Sequence, residues 1–347
     1  MPLLTVPNWS LGRERTVLRE AFDFLDSAPV TVHYAESDID HNRTVTAFSG
    51  TPTNVQTTLL GLAEIILPSV NLQRHTGVHP RIGGLDVCPF IPLPPLRVNG
   101  ETRQVDDRQS TNSSDAEFPS PSLGRGRGGV GKGNNAGGGA NTQQEDADSL
   151  QKFITQTAQL LADTHDIPIF LYEHSAPGRS LPNLRKGGFG ALLNQELNPD
   201  FGPNHAHNHL GATVLGWRDF LVALNVNFPN QPGAPDAMRQ IASLIREKRR
   251  KGDPLFAGVR ALGLELQAQE ITQLSMNITV PDTANFDKII STIEELAAKS
   301  GITDGYPQLI GVIRDTDIER STKIYARPQQ VVQTRLATDW QLDWNQE

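Results

Sequence analysis

Apolar positions recur along this chain at two spacings, every third to fourth residue and every second residue, and their alternation predicts the elements. Val17, Leu18, Ala21, Phe22 and Leu25 share one face across 13–27, and Val55, Leu59, Leu62 and Ile66 share one across 54–67. Both stretches read as amphipathic helices. Residues 3–7, 30–35 and 43–49 are short, apolar or β-branched runs and read as strands. The run 85–91, Leu-Asp-Val-Cys-Pro-Phe-Ile, reads as a buried strand. Pro89 within it implies an edge or a bulge, because proline has no N–H for a ladder. The resulting order is strand, helix, strand, strand, helix, strand, the split βαβ or ferredoxin-like pattern. A helix over 149–162 and a strand over 167–172 follow.

The second half repeats the order. Residues 220–228 alternate as a strand, and 236–250 form a helix with Met238, Ile241, Leu244 and Ile245 inward. Strands are predicted at 259–267 and 271–280, a helix at 285–300 and a last strand at 308–313. The expected fold class is therefore α+β, two ferredoxin-like (βαββαβ) lobes forming a cleft. The expected division is 1–177 for the first lobe, 178–325 for the second and 326–347 for a tail, whose Trp340 and Trp344 are candidates for docking on the body or on a partner.

Residues 97–148 break the pattern. They are rich in Gly and Ser and poor in apolar side chains, so little burial offsets the entropy of ordering them; a flexible, disordered Gly-rich insertion is expected. Within it Gly126-x-x-x-x-Gly131-Lys132 stops short of a P-loop: Gly133 stands where Ser or Thr should, and no apolar strand precedes it. Its Arg-Gly character resembles RNA-binding segments, but the whole chain carries 31 basic against 39 acidic residues and a net charge of −8, so no nucleic-acid partner is expected. No apolar run approaches the ~20 residues that span a bilayer. The N-terminus has no signal-peptide pattern and Cys88 is the single cysteine, so the expected location is cytoplasmic, with no membrane association and no intramolecular disulfide.

One stretch concentrates chemistry: Arg74-His-Thr-Gly-Val-His-Pro-Arg81, running into Gly83-Gly84 and the strand at 85. Gly77, Gly83 and Gly84 permit unusual backbone angles, and Pro80 biases His79 toward an extended conformation. A constrained loop at the end of a strand is a common way to present a reactive side chain. Gly77 and Pro80 argue against a helix, and so against His75 and His79 as a helical metal pair.

With these residues in view, the sequence resembles the formiminotransferase domain of glutamate formimidoyltransferases, alone or as the N-terminal part of formiminotransferase-cyclodeaminases. The resemblance is carried by Val6-Pro-Asn-x-Ser-x-Gly12, Asn42-Arg-Thr-Val45, Arg74-His-x-Gly-x-His-Pro-Arg81, Gly83-x-Leu-Asp-Val-Cys-Pro-Phe-Ile-Pro92, Gly178-Arg-x-Leu-Pro182, Asp200-Phe-Gly-Pro203 and Gly211-Ala-Thr-Val214. It runs from about 5 to 313 with 97–148 excepted, and no cyclodeaminase segment is expected to follow. It implies a folate-dependent one-carbon transferase of histidine degradation. A formimino group moves between N5 of tetrahydrofolate, a co-substrate, and the amino group of L-glutamate. Formyl transfer at the same site, or a non-catalytic folate-binding or interaction protein, are the alternatives.

The resemblance implies His79 as general base and acid, since an imidazole titrates near working pH. It places Glu36 where the family has an aspartate that orients the histidine. Glutamate is one methylene longer, which opens the alternatives of a retracted Glu36 or of Asp38 or Asp40 in its place. It further implies folate or substrate binding by Asn8, Asn42, Arg43, Arg81 and the run Gly202-Pro203-Asn204-His205-Ala206-His207-Asn208-His209-Leu210-Gly211. The middle of that run departs from the family. His205, His207 and His209 alternate, and on a strand they would share a face fit for Zn or Ni, although no metal is expected. The substrates, folate and L-glutamate or N-formimino-L-glutamate, are anionic. Of Arg43, Arg74, Arg81, Arg179 and Arg185, two are expected in the cleft. A homodimer is implied by the family.

Overall fold

The computed structural model describes residues 1–93, 97–98, 101–102 and 138–334. Its first strand comes in two pieces, β1 (Leu3–Thr5) and β2 (Asn8–Trp9), broken at Val6-Pro7. Then come α1 (Arg15–Ser27), β3 (Thr31–Asp38), β4 (Arg43–Gly50), α2 (Pro52–Ile66) and β5 (Leu85–Pro92). Two-residue strands β6 (Arg97–Val98) and β7 (Glu101–Thr102) precede α3 (Gly138–His165) and β8 (Ile169–Leu171). Short helices α4 (Leu181–Leu184) and α5 (Gly188–Leu192) lead to β9 (Thr213–Trp217). Local chemistry explains the helix starts: the Thr51 side chain accepts the Asn54 N–H and Pro52 opens α2, as a helix N-terminus favours.

These strands form a seven-stranded sheet in which β3, β4, β1 with β2, and β5 lie side by side, antiparallel, followed by β9 and β8 in parallel. One face is closed by helices. Leu18 and Leu25 of α1, Leu59 and Leu62 of α2, and Ile154 and Leu161 of α3 are buried with Trp9, Phe48 and Phe90 of the strands. The other face looks toward the second lobe.

The second lobe is β10 (Val222–Pro229), α6 (Ala234–Arg250), β11 (Val259–Leu266), β12 (Ile271–Ile278), α7 (Phe286–Ala298) and β13 (Tyr306–Ile310). Its four-stranded sheet runs β11-β12-β10-β13, every pair antiparallel. The period of two is strict. Val222, Leu224, Val226 and Phe228 of β10 face α6 and α7 in the core, with Met238, Ile241, Phe286 and Ile289. Asn225 and Asn227 between them are also buried, on the opposite face. After β14 (Ile313–Arg314) and α8 (Asp315–Ile318) the chain passes back over the first lobe, where the Gln329 carbonyl lies 2.9 Å from His33 Nδ1, and β15 (Val331–Val332) pairs with β14.

Four expectations change. The division at 177/178 falls inside the first sheet, because β9 joins β5 by a parallel ladder; the second sheet starts at Val222. The helix expected from 149 begins at Gly138, so 138–148 is helical rather than part of an irregular insertion. Pro89 lies on an interior strand, not an edge. The break at Val6-Pro7 faces it instead, where Thr5 Oγ1 donates to the Pro89 carbonyl at 2.9 Å. And Gly77, Gly83 and Gly84 do not adopt positive φ. They supply room: a Cβ on Gly83 would lie 2.1 Å from the Ala212 carbonyl oxygen. The Gly126–Gly133 run, most of the 97–148 segment, and Trp340 and Trp344 lie outside the described residues.

Candidate active site

Between the lobes lies a cavity of about 360 Å³, within the range of small-molecule sites. Its first-lobe wall carries Asn8, Glu36, Asp38, His41, Arg43 and His79; its second-lobe wall carries Asn225, Arg260, Gln273, Ser275, Asn277 and Gln308. Apolar patches from Val45, Val87, Leu181, Leu221 and Ile310 complete it.

His79 sits on the loop between α2 and β5. Its Nδ1 is 2.6 Å from Arg43 Nη1 and 2.8 Å from the Pro80 carbonyl. A guanidinium only donates, so the Arg43 contact requires an unprotonated Nδ1 and puts the proton on Nε2; the Pro80 contact requires the opposite tautomer. Nε2 itself engages no group among the described residues. Burial pushes the His79 pKa well below its ordinary value, and the Arg43 and Arg185 charges push the same way. The ring is neutral at pH 7. Arg81 anchors the loop: its Nη2 donates to the carbonyls of His79 (2.6 Å) and His41 (3.0 Å).

Behind His79 lies a group that sequence reasoning quoted in a motif without giving it a role. Asp86, 1% exposed, accepts from Arg185 Nη2 (2.5 Å), Arg43 Nη2 (3.4 Å) and the Ile82 N–H (2.9 Å). One buried carboxylate thus holds two guanidiniums that face the cavity. Burial pushes Arg43 down to about 9, with Asp86 opposing, so it remains a cation at neutral pH.

Glu36 faces the cavity but does not touch His79. Its carboxylate accepts from the Tyr34 hydroxyl at 2.8 Å and pairs with Arg327 at 2.5 Å, while Arg327 lies over the Tyr34 ring. The ring of His79 is held instead by Arg43 and Pro80. Asp38 is occupied as well, accepting the N–H groups of Asp40 and His41 and the Gln269 amide. Asp40 bonds Ala268 and Gln269 of the other lobe. His41, a second imidazole unassigned from sequence, has its ring 5.8 Å from that of His79 and its Nε2 3.2 Å from Gln273 Oε1.

Of the five arginines, Arg43 and Arg185 line the cavity and Arg74, Arg81 and Arg179 do not. Arg218 and Arg260 also line it and were missed. Asn42 is a support: its Oδ1 accepts the Gly12 N–H at 2.9 Å, and its carbonyl lies 2.9 Å from His75 Nε2. None of residues 202–211 reaches the cavity. They form a turn, closed by the His207–Gly211 pair, that braces the start of β5 through Leu210 O to Gly84 N–H (2.8 Å). His205, His207 and His209 are not on a strand, so the shared face needed for a metal does not form, and no cluster of three metal-ligating side chains occurs among the described residues.

Carboxamides make up most of the second-lobe wall, beside Arg260 and Ser275. Gln273 Nε2 donates to Asn227 Oδ1 (2.9 Å), and Asn227 and Asn225 both donate to Gln308 Oε1 (3.0 and 3.3 Å). Sequence reasoning missed this row, although the polar residues alternating with β10's apolar ones are its visible trace.

Such a site, a charged wall with a neutral imidazole facing a wall of amides with Arg260 among them, suits an α+β protein that takes a polar small molecule between two lobes. Comparison with known proteins narrows this. The description "Formiminotransferase domain, N-terminal subdomain" matches residues 3–104 and 141–218, more than half of the chain, and the chain belongs to that family. It is 27% identical to a glutamate formimidoyltransferase of Streptococcus pyogenes, over 88% of this chain and 87% of that protein. It is 25% identical to a glutamate formimidoyltransferase of Thermoplasma acidophilum, over 92% and 90%. It is 29% identical to a formimidoyltransferase-cyclodeaminase of Sus scrofa, where it spans 89% of this chain and about half, 49%, of that longer protein. No helix among the described residues is long and apolar enough to cross a membrane.

Proposed function

We propose that this chain is a glutamate formimidoyltransferase, moving a formimino group between L-glutamate nitrogen and N5 of tetrahydrofolate. One observation carries the reading: relatives named for that activity align over nearly the full length of both chains. The place of His79, within the shared family region and at the inter-lobe cavity, agrees with it. Both lobes are read as ferredoxin-like, since each runs βαββαβ, the first with β8 and β9 appended. The protein is taken as cytoplasmic and homodimeric, with folate as co-substrate rather than resident cofactor.

In this reading His79 works through Nε2. With Nδ1–H turned to the Pro80 carbonyl, Nε2 takes a proton from the attacking amine. The imidazolium so formed, its Nδ1–H still on the Pro80 carbonyl, returns that proton from Nε2 to the departing nitrogen. The depressed pKa of His79 keeps the ring in its neutral form, and a placed general base is worth ~10²–10⁴-fold. Asp86 keeps Arg43 and Arg185 aimed into the cavity, where they face the carboxylates of the substrates. Glu36 is read as a tie to Arg327 rather than as the residue orienting His79. The test is an absorbance assay with 5-formiminotetrahydrofolate and L-glutamate, wild type against His79→Ala. Turnover by wild type that disappears in the variant supports the reading; a wild-type protein without turnover, or a variant with full turnover, sinks it.

A further inference from the structure

The turn that follows β8 is strained at one residue. Glu173 has φ of +51°, in the left-handed region. Among the described residues four other non-glycine residues share that region, and three of them are Asn or Asp, which tolerate it through their short polar side chains. Glutamate has no such tolerance, so its backbone conformation is imposed by its surroundings. The imposition is visible. The Glu173 N–H donates to the Arg179 carbonyl (3.0 Å), and Ser175 Oγ accepts the Trp217 N–H of β9 (3.0 Å). Gly216 of β9 lets the turn close in: a Cβ there would lie 2.6 Å from the Tyr172 carbonyl.

This strained turn and the residue after β9 bring three polar side chains to one part of the cavity wall. Glu173 lines the cavity, and its carboxylate has no hydrogen-bond donor or cation within bonding distance among the described residues, unlike Glu36 and Asp38. Tyr172 lines it too. Its hydroxyl is buried, on a residue 2% exposed; the Arg218 guanidinium lies beside it, and no other polar partner meets it among the described residues. Arg218, one residue beyond β9, lines the same corner and donates to the Asp219 carbonyl at 2.7 Å, but pairs with no carboxylate among the described residues. A carboxylate and a guanidinium that form no ion pair among the described residues, with a buried hydroxyl beside the guanidinium, complement a group carrying a cation beside an anion. Backbone strain held at a cavity wall is a recognised mark of functional positioning.

We propose that Glu173, Arg218 and Tyr172 form the subsite for the α-amino acid head of the glutamate substrate, Glu173 pairing the ammonium or the N-formimino cation and Arg218 the α-carboxylate. This rests on the reading of the cavity as a glutamate formimidoyltransferase site. Glu173 then holds the reacting nitrogen, and Tyr172 supplies a hydrogen bond to the same head group.

Calorimetric titration with L-glutamate and with glutarate, which keeps both carboxylates and lacks the amine, tests the pairing. Wild type is expected to prefer L-glutamate. Glu173→Gln should lower L-glutamate affinity at least tenfold and leave glutarate unchanged or tighter, erasing the preference. Arg218→Gln should weaken both. Glu173→Gly adds a readout that a merely structural role would not give: relief of the strained backbone should hold or raise the melting temperature, while KM for the amino-acid substrate rises about tenfold and KM for folate stays put. A Glu173→Gln protein that keeps the wild-type preference overturns the proposal even if turnover is normal. Absent formimino transfer in a wild type that still prefers L-glutamate over glutarate, the function assigned above fails and the subsite stands.

Discussion

The two lobes share one connectivity and one strand order yet face the cavity with opposite chemistry. The first presents ions and imidazoles: Arg43 and Arg185 on Asp86, with His79 and His41 alongside. The second presents mostly neutral amides, Asn225, Gln273, Asn277 and Gln308, joined in part to one another and to Asn227. The difference follows from what each group needs. Charges facing a partly buried site need a counter-charge and rigid supports, and the first sheet, widened by β9 and β8, supplies Asp86 from an interior strand. Amides on a sheet face can satisfy one another along the ladder, so a plain four-stranded sheet suffices. The same topology therefore carries an ionic wall with imidazoles on one side and a largely amide wall on the other.

The sharpest way to break this contrast is at His79. His79→Ala should reduce turnover ~10²–10⁴-fold with little change in the melting curve, because the half-buried ring sits on a loop outside the apolar cores. The same residue sets the pH response. Its pKa is depressed, so the neutral, proton-accepting ring persists below pH 6.5 and kcat/KM should fall only as pH drops through the lowered value. Arg185→Gln removes one cation that pushes it down, and should move that acid limb up toward 6.5. An acid limb above 6.5 in the wild type would contradict the assignment.

Next is Asp86→Ala, which strands two half-buried guanidiniums. Removing one partner of a buried ion pair costs about 3–5 kcal/mol, and chemical denaturation should report a loss of that size together with weak activity. On the opposite wall Gln273→Leu should behave differently. It leaves the Asn227 amide oxygen and the His41 ring without a partner, for a loss of about 1–3 kcal/mol, and should raise KM while changing kcat little. A kcat loss as large as that of His79→Ala would erase the division of labour between the lobes. The smallest effect is expected from Glu36→Gln, which breaks an exposed pair with Arg327 worth under about 1 kcal/mol before screening. Turnover should stay within a few-fold of wild type. A collapse of turnover there would restore Glu36 as the group that orients His79.

Much of the architecture was legible in the apolar spacing. The faces of α2, α6 and α7 and the alternation of β10 all follow from it, because core burial is the strongest constraint on a local pattern. What escaped was non-local. Residues 213–217 are an apolar run whose strand character depends on parallel pairing with β5, and nothing adjacent in sequence announces that partner. His79 was legible because Pro80 and the glycines around it mark a constrained loop. Asp86 was not, since a lone acidic residue in a strand shows its worth only when Arg43 and Arg185 converge on it from positions 43 and 99 residues away.

By itself, then, the chain's order of apolar and polar residues determined the repeated βαββαβ plan, the buried faces and the loop that carries His79, all of which depend on neighbours within a few positions. Only the tertiary structure decided which charges meet: Asp86 with two arginines, Glu36 with Arg327 rather than His79, and Glu173 at the cavity wall with no ion-pair partner among the described residues. Electrostatic partners are chosen by proximity in space, and proximity between residues distant along the chain is set only when the two sheets have packed.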